Sequence, residues 1–235
     1  MYKLVQGDCL EKMKQIPNNS VDVSFTSPPY CDTGTKNQDV SNNKTKHKKY
    51  LTVERTSDWF EWQCECIDEM LRVSKKWVIY NVQGLSKNRA NVFKLIGKYA
   101  DRIHDIIIWH KPNGCPTSTK HAISNTYEYI LLLKCDGVKR IPANSDFYRN
   151  VIYMPVNANK EFNKIHRAVM SKNLCDEIIR EFTSEGDLVL DPFSGLGTTG
   201  VSCIEQNRNY LGIELCEDYI NASRERLDAT RRLEQ

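Results

Sequence analysis

The sequence predicts an α/β fold, a mostly parallel sheet covered by helices on both faces. Three observations predict it. Short β-branched and aromatic runs recur along the chain, amphipathic segments of helical period separate them, and 235 residues suffice to bury a sizeable core in one domain. The strands expected are Tyr2–Gln6, Val21–Thr26, Trp77–Val82, Asp105–His110, Tyr127–Lys134, Leu188–Leu190 and Tyr210–Glu214. Between the second and third, Asp58 with Glu61 forms a capping box. Trp59, Trp62, Cys66, Ile67, Met70 and Leu71 then recur at helical spacing. Ser86–Lys98 and Ala168–Phe182 read as further helices, the second closed by Gly186. Gly200–Gln206 and Glu217–Leu233 complete the set.

Two segments break this rhythm. Residues 31–56 are polar and carry Lys36, Lys44, Lys46, Lys48 and Lys49, and residues 136–161 are irregular, with Pro142 and Pro155. Long unstructured stretches in a compact domain are commonly binding loops or lids. With neither an internal repeat nor a clean linker, residues 1–235 are expected to form one domain bearing two irregular insertions.

Charge is nearly balanced, 33 Lys+Arg against 30 Asp+Glu, so net charge alone does not announce a nucleic-acid partner. The nine cysteines include no Cys-x-x-Cys pair, which favours reduced structural thiols over zinc or a disulfide framework. His47, His104, His110 and His121 lack metal-ligand spacing, and no metal is expected. The first residues alternate like a strand and contain no apolar signal core. The apolar runs Asp105–Trp109 and Tyr129–Leu133 are far too short to span a bilayer. A cytoplasmic protein without membrane contact is expected.

Gly195-x-Gly197-x-x-Gly200 follows a strand and opens a helix, with the acidic Glu214 about twenty residues on. Glycines let backbone approach a nucleoside ligand, and an acid at the next strand end accepts ribose hydroxyl hydrogen bonds. A nicotinamide-dependent dehydrogenase is one reading of this turn. Against it, residues 201–235 are too few for the second nucleotide-binding half that a dinucleotide uses. Thr198 and Thr199 open the helix, where their hydroxyls are expected to cap free N–H groups. The absence of Lys after the last glycine excludes a phosphate loop.

Thr26-Ser27-Pro28-Pro29-Tyr30 ends the second strand. An exocyclic amino nitrogen on a nucleobase is a poor nucleophile, because its lone pair is delocalised into the ring. Methylating it calls for acceptors that hold its two hydrogens while the nitrogen pyramidalises. Ser27 Oγ and the Pro28 carbonyl supply two. Consecutive prolines fix φ and remove competing N–H donors, so the loop is shaped before substrate arrives. Tyr30 offers a face on which an extruded base can stack. The bland alternative is a proline turn closing a buried strand.

Taken together, Ser27-Pro28-Pro29-Tyr30 and Asp191-Pro192-Phe193-Ser194-Gly195-Leu196-Gly197-Thr198-Thr199 resemble the amino-methyltransferases of bacterial and phage DNA modification. The order, catalytic loop before cofactor turn, is that of the group called beta. The resemblance implies a Rossmann-like, circularly permuted class I methyltransferase fold. Its sheet would have seven strands, the last antiparallel, and its cofactor would be S-adenosylmethionine. It places Asp8, Asp191, Phe193, Ser194, Gly195, Gly197, Thr198, Thr199, Glu214 and His166 around cofactor, and Ser27, Pro28, Pro29 and Tyr30 around the base. Trp109-His110-Lys111-Pro112 and Tyr127-Glu128-Tyr129 resemble family segments that help form the base pocket, tyrosine standing at 127 where the family has histidine. Ser-Pro-Pro-Tyr is usual in cytosine N4 enzymes and Asp-Pro-Pro-Tyr in adenine N6 enzymes, so the resemblance favours cytosine N4, with adenine N6 the alternative.

The implied partner is DNA, and RNA is not distinguished from it by a flipped base. Lys44, Lys46 and Lys48 are candidates for phosphate contacts. Lys139, Arg140, Arg149 and Lys160 are candidates for reading the target. So short a recognition segment points to a brief target, a homodimer or a single-stranded substrate, and the family context admits a companion restriction endonuclease. A non-catalytic DNA-binding module on the same fold is the remaining alternative.

Overall fold

The computed structural model of the protein describes residues 1–29, 59–85, 88–113, 121, 123–156 and 169–233. Strands β1 (Tyr2–Gln6), β2 (Val21–Thr26), β3 (Ser74–Val82), β4 (Ile103–His110), β5 (Tyr127–Lys134), β6 (Val151–Tyr153), β7 (Leu188–Asp191) and β8 (Asn209–Glu214) form one sheet in the order β1-β8-β7-β2-β3-β5-β4-β6. Every neighbouring pair is parallel except those that β5 makes with β3 and β4. The helices are α1 (Cys9–Met13), α2 (Trp59–Val73), α3 (Arg89–Lys98), α4 (Lys172–Phe182), α5 (Thr198–Glu205) and α6 (Glu217–Leu233).

Strand periodicity of two divides the core between the two faces. Val78, Tyr80, Val82, Leu131 and Leu133 pack with α1, α2 and α3, whereas Ile79, Ile130 and Leu132 pack with α4, α5 and Leu227 of α6. Both sides of the central strands are thereby dry, which accounts for their near-continuous apolar sequences.

Among the described residues the sheet has eight strands rather than seven. The additional strand, β6, lies inside the segment expected to be irregular, where Ile108 N donates to Asn150 O, Met154 N donates to His110 O, and β6 pairs along the β4 edge. At three residues, followed by Pro155, it is too short to leave a periodic signal. The antiparallel strand is β5, set inside the sheet between β3 and β4 and not last in the chain. Helix α1 was also unforeseen at five residues; Asp8 caps it, Oδ1 accepting from Leu10 N at 3.0 Å and Glu11 N at 3.2 Å. Helix α4 starts at Lys172, later than expected, and α5 starts two residues early at Thr198. Asp58, Ser86 and Ala168, expected at helix starts, lie outside the described residues, as do residues 31–56.

Helix α5 carries the chain from β7 to β8 on one side, and α2 carries it from β2 to β3 on the other. Adjacent β7 and β2 therefore form a topological switch point. The carboxyl ends of such strands open a crevice in which α/β sheets bind ligands.

Candidate active site

A cavity of about 370 Å³ lies in that crevice. Its walls come from the β1–α1 turn (Gly7, Asp8, Cys9), the end of β2 (Ser27, Pro29), Trp62 of α2, residues 191–196, the start of α5, and Glu214 with the residues after it. Ser27 and Gly195, 168 positions apart in a chain of 235, thus face one space. Pro28 is buried between its neighbours and is not among the lining residues. Tyr30, His166, Lys44, Lys46, Lys48 and Lys160 lie outside the described residues.

The lining is acidic. Asp8, Asp191, Glu214 and Glu217 border the cavity, and among the described residues no lysine, arginine or histidine does. Asp8 uses Oδ1 for both cap bonds, which leaves Oδ2 without a partner among the described residues. Glu214 accepts from Gly195 N at 2.9 Å and from Cys216 N at 2.8 Å, clamping the glycine turn against the end of β8. Burial raises its pKa above the usual carboxylate value, against the pull of those N–H donors. Phe193 packs edge-on against Trp62, with ring centroids 5.6 Å apart, and gives the cavity an aromatic wall.

Asp191, expected beside the cofactor, borders the cavity and is held there by three donors. Its Oδ1 accepts from Thr26 Oγ1 at 2.6 Å and Phe193 N at 3.1 Å, and its Oδ2 accepts from Thr199 Oγ1 at 2.8 Å. Although it borders the cavity, it acts as a knot that ties the last residue of β2 to the turn and to α5. Full burial pushes its pKa up to about 6 despite the three donors. Thr199 is therefore committed to Asp191, and Thr198 Oγ1 accepts from Arg226 at 3.4 Å. Gly197 occupies the N-cap of α5 with no side-chain cap bond, so the threonines do not cap the helix as expected.

Two of the glycines serve packing. Gly197 has φ 71°, and a methyl there would fall 2.2 Å from Ser223 Oγ. A methyl at Gly200 would fall 2.6 Å from the Tyr210 ring, whose hydroxyl donates to Ser194 Oγ at 2.8 Å. Gly200 thus seats α5 on β8 and does not border the cavity.

Trp109 and Lys111 are buried behind the site and do not line the cavity. Trp109 Nε1 donates to Met154 O at 2.9 Å, and Lys111 Nζ donates to Glu128 Oε1 at 2.8 Å. Both were expected to contact substrate, and neither borders this cavity. Arg140 lines a separate groove with His104 and Asp105, at the start of β4 and so at the opposite end of that strand from Lys111. That location is away from Ser27.

Residue patterns had not pointed to Trp59, Trp62 or Asn81. Trp59 Nε1 donates to Pro29 O at 3.0 Å and pins the proline loop from α2, and Asn81 Nδ2 donates to Ser27 Oγ at 3.2 Å. In the sequence the two tryptophans read as helix core. An asparagine next to the last residue of an apolar strand is the signal at position 81.

This geometry has relatives. The chain is 27% identical over 95% of its length to the type II methyltransferase M.HinfI of Haemophilus influenzae, covering 67% of that protein. It is 27% identical over 96% of its length to the type II methyltransferase M2.MboI of Moraxella bovis, covering 87% of that protein. Among solved structures, PvuII DNA methyltransferase (cytosine-N4-specific) superposes with a TM-score of 0.75 at 18% identity, over 96% of this chain and 86% of that one. The M1.HpyAVI–SAM complex superposes with a TM-score of 0.65 at 23% identity, over 97% of this chain and 100% of that one. These superpositions establish a shared fold. A family model for N6 and N4 methyltransferases, described as DNA methylase, matches residues 21–225, and the chain belongs to that DNA methylase family.

Proposed function

We propose that this chain transfers a methyl group from S-adenosylmethionine to the exocyclic amino nitrogen of a base turned out of DNA, cytosine N4 being favoured over adenine N6. The observation that carries the reading is the opening of Ser27 into the same cavity as Asp8, Gly195 and Glu214. The cavity fits such a donor in size, within the roughly 300–1,000 Å³ of small-molecule sites. Its charge fits as well, because S-adenosylmethionine brings a sulfonium, an ammonium and ribose hydroxyls but no phosphate. A dinucleotide would press its pyrophosphate against the acidic lining, which weighs against the dehydrogenase reading. Asp8, Glu214 and the backbone of residues 193–195 would hold the nucleoside, beside Phe193.

When bound, that cofactor supplies a methyl group made electrophilic by the sulfonium. The protein's part is to present the amine. Ser27 Oγ accepts one amino hydrogen and the Pro28 carbonyl the other, while Tyr30 stacks on the base. The nitrogen lone pair is thereby freed from the ring. No tuned general base is required, because the amino proton becomes acidic once the methyl has been transferred. Lysines 44, 46 and 48 are proposed to hold phosphates while the base is out of its stack. Serine at position 27 supports cytosine as the target. A homodimer and a companion restriction endonuclease belong to the same proposal.

The test is mass spectrometry of nucleosides from DNA methylated by the purified protein. N4-methylcytosine is expected. N6-methyladenine alone would reverse the base, and DNA binding with no product would leave a binding module. An RNA oligomer in the same assay distinguishes the polymers. Ser27→Ala should slow transfer on the order of 100-fold with cofactor affinity retained. Full activity of that variant removes the loop from the mechanism.

A further inference from the structure

Behind Ser27 runs a buried polar chain that crosses three strands. Lys111 Nζ donates to Glu128 Oε1 at 2.8 Å, Asn81 Nδ2 donates to Glu128 Oε2 at 2.6 Å, and the same Nδ2 donates to Ser27 Oγ at 3.2 Å. Asn81 is 1% exposed, and the Lys111 and Glu128 side chains are 10% and 8% exposed. Lys111 Nζ also lies over the Trp109 ring, 5.5 Å from its centroid. None of Asn81, Glu128, Lys111 or Trp109 borders the cavity, so the chain reaches that space only through Ser27.

We propose that the buried Lys111–Glu128 pair orients the Ser27 hydroxyl through Asn81, making these three the positioning residues of the amino-binding loop. The inference rests on the methyl-transfer reading given above.

The chemistry is that of a fixed amide. A carboxylate only accepts hydrogen bonds, so Glu128 requires Asn81 to turn its NH₂ toward it. Lys111 occupies the other carboxylate oxygen and holds the carboxylate in place. The asparagine cannot flip without setting its own oxygen against Glu128. Its second N–H is consequently directed at Ser27 Oγ and takes one of the two lone pairs there. What the serine keeps for substrate is one lone pair, aimed by that bond, and its hydroxyl proton. An amino hydrogen of the base meets the lone pair. The proton is left for a neighbouring ring nitrogen and is not spent on the protein. An unpaired buried charge at Glu128 or Lys111 would be costly, which explains why both are present together.

The test is single-turnover methyl transfer at saturating DNA and S-adenosylmethionine, with cofactor affinity measured by calorimetry. Asn81→Ala and Glu128→Gln should each slow transfer by about 10- to 100-fold, with cofactor affinity within about twofold of wild type. Because Glu128 acts through Asn81, the double variant should lose no more than the slower single variant. Asn81→Asp keeps the shape and reverses the polarity, so it carries the test alone should the alanine variant not fold. Its transfer rate should fall as pH rises between about pH 6 and pH 9, a dependence the wild type lacks there.

Wild-type rates in Asn81→Ala and Asn81→Asp would overturn the inference. So would losses that multiply in the double variant while cofactor affinity and thermal stability fall in parallel. An inactive Ser27→Ala beside fully active Asn81 variants defeats this inference alone, whereas a fully active Ser27→Ala defeats the proposed function.

Discussion

Asp191 carries a buried charge whose pH dependence has a definite sign. Its folded pKa of about 6 stands above the ordinary carboxylate value of about 3.9. Between those values the native protein binds more protons than the unfolded chain, so stability falls as pH rises through the window and is level above it. Asp191→Asn lacks that titration. The stability of wild type relative to the variant should drop by roughly 2 kcal/mol between about pH 4 and pH 7, read from urea midpoints at each pH. Parallel behaviour of the two proteins would mean that Asp191 is not the group titrating. Trp59 contributes through one bond, its Nε1 to Pro29 O at 3.0 Å. Trp59→Phe keeps the ring packing and removes the donor. It should lower stability by about 1 kcal/mol and slow methyl transfer several-fold, leaving cofactor affinity unchanged in calorimetry.

At the scale of elements, the contact between α5 and β8 decides whether the cofactor turn keeps its shape. A methyl added at Gly200 would stand 2.6 Å from the Tyr210 ring and 2.9 Å from Leu227 Cδ2, and both neighbours are buried. Gly200→Ala should therefore cost about 1–3 kcal/mol. Gly97 of α3 has nothing within 4 Å of the corresponding point, so Gly97→Ala should be neutral or stabilising by up to about 1 kcal/mol. Thermal unfolding of the two variants side by side checks the pair, and equal shifts would remove the packing explanation. The elements legible in the sequence were those long enough to show a period. β1, β2, β5 and α6 fall on their expected bounds. β3 and β4 extend beyond theirs through polar residues that lack the apolar signature of the strand centres: Ser74 Oγ is 2.8 Å from Ser24 Oγ, Lys75 and Lys76 pair with Asp22 and Asp187, and His104 sits at an irregularity in the β4–β5 register. β6 and α1 exist through tertiary hydrogen bonds and a single cap, which a windowed pattern of residues does not register. The site divides in the same way. Asp8, Ser27 and Glu214 sit at strand ends beside turn-forming residues and were readable. Asn81 and Trp59 become site residues only through partners 54 and 30 positions away.

Across the whole molecule, the sheet order brings two loops from opposite ends of the chain to one crevice. The backbone and acidic side chains there set its ligand preference. The net charge of +3 conceals this, because four acidic residues border the cavity while no basic residue among those described does. Such a lining attracts a cationic nucleoside and repels a pyrophosphate. Ligand that binds only the folded state stabilises it by RT ln(1 + [L]/Kd), about 2.7 kcal/mol at a hundredfold excess over Kd. For a domain of this size each kcal/mol is worth roughly 2–4 °C, so S-adenosylmethionine at that excess should raise Tm by about 5–10 °C. A nicotinamide dinucleotide at the same concentration should leave Tm unmoved. Glu214→Gln removes one negative charge and weakens the acceptor offered to ribose, yet retains an oxygen for the Gly195 N–H. It should reduce the S-adenosylmethionine shift and also lower the unfolding temperature without ligand by about 2–4 °C, because its NH₂ meets the Cys216 N–H that Glu214 Oε1 had accepted. A Tm raised by the dinucleotide and not by S-adenosylmethionine would reverse the assignment of the cavity and, with it, of the reaction.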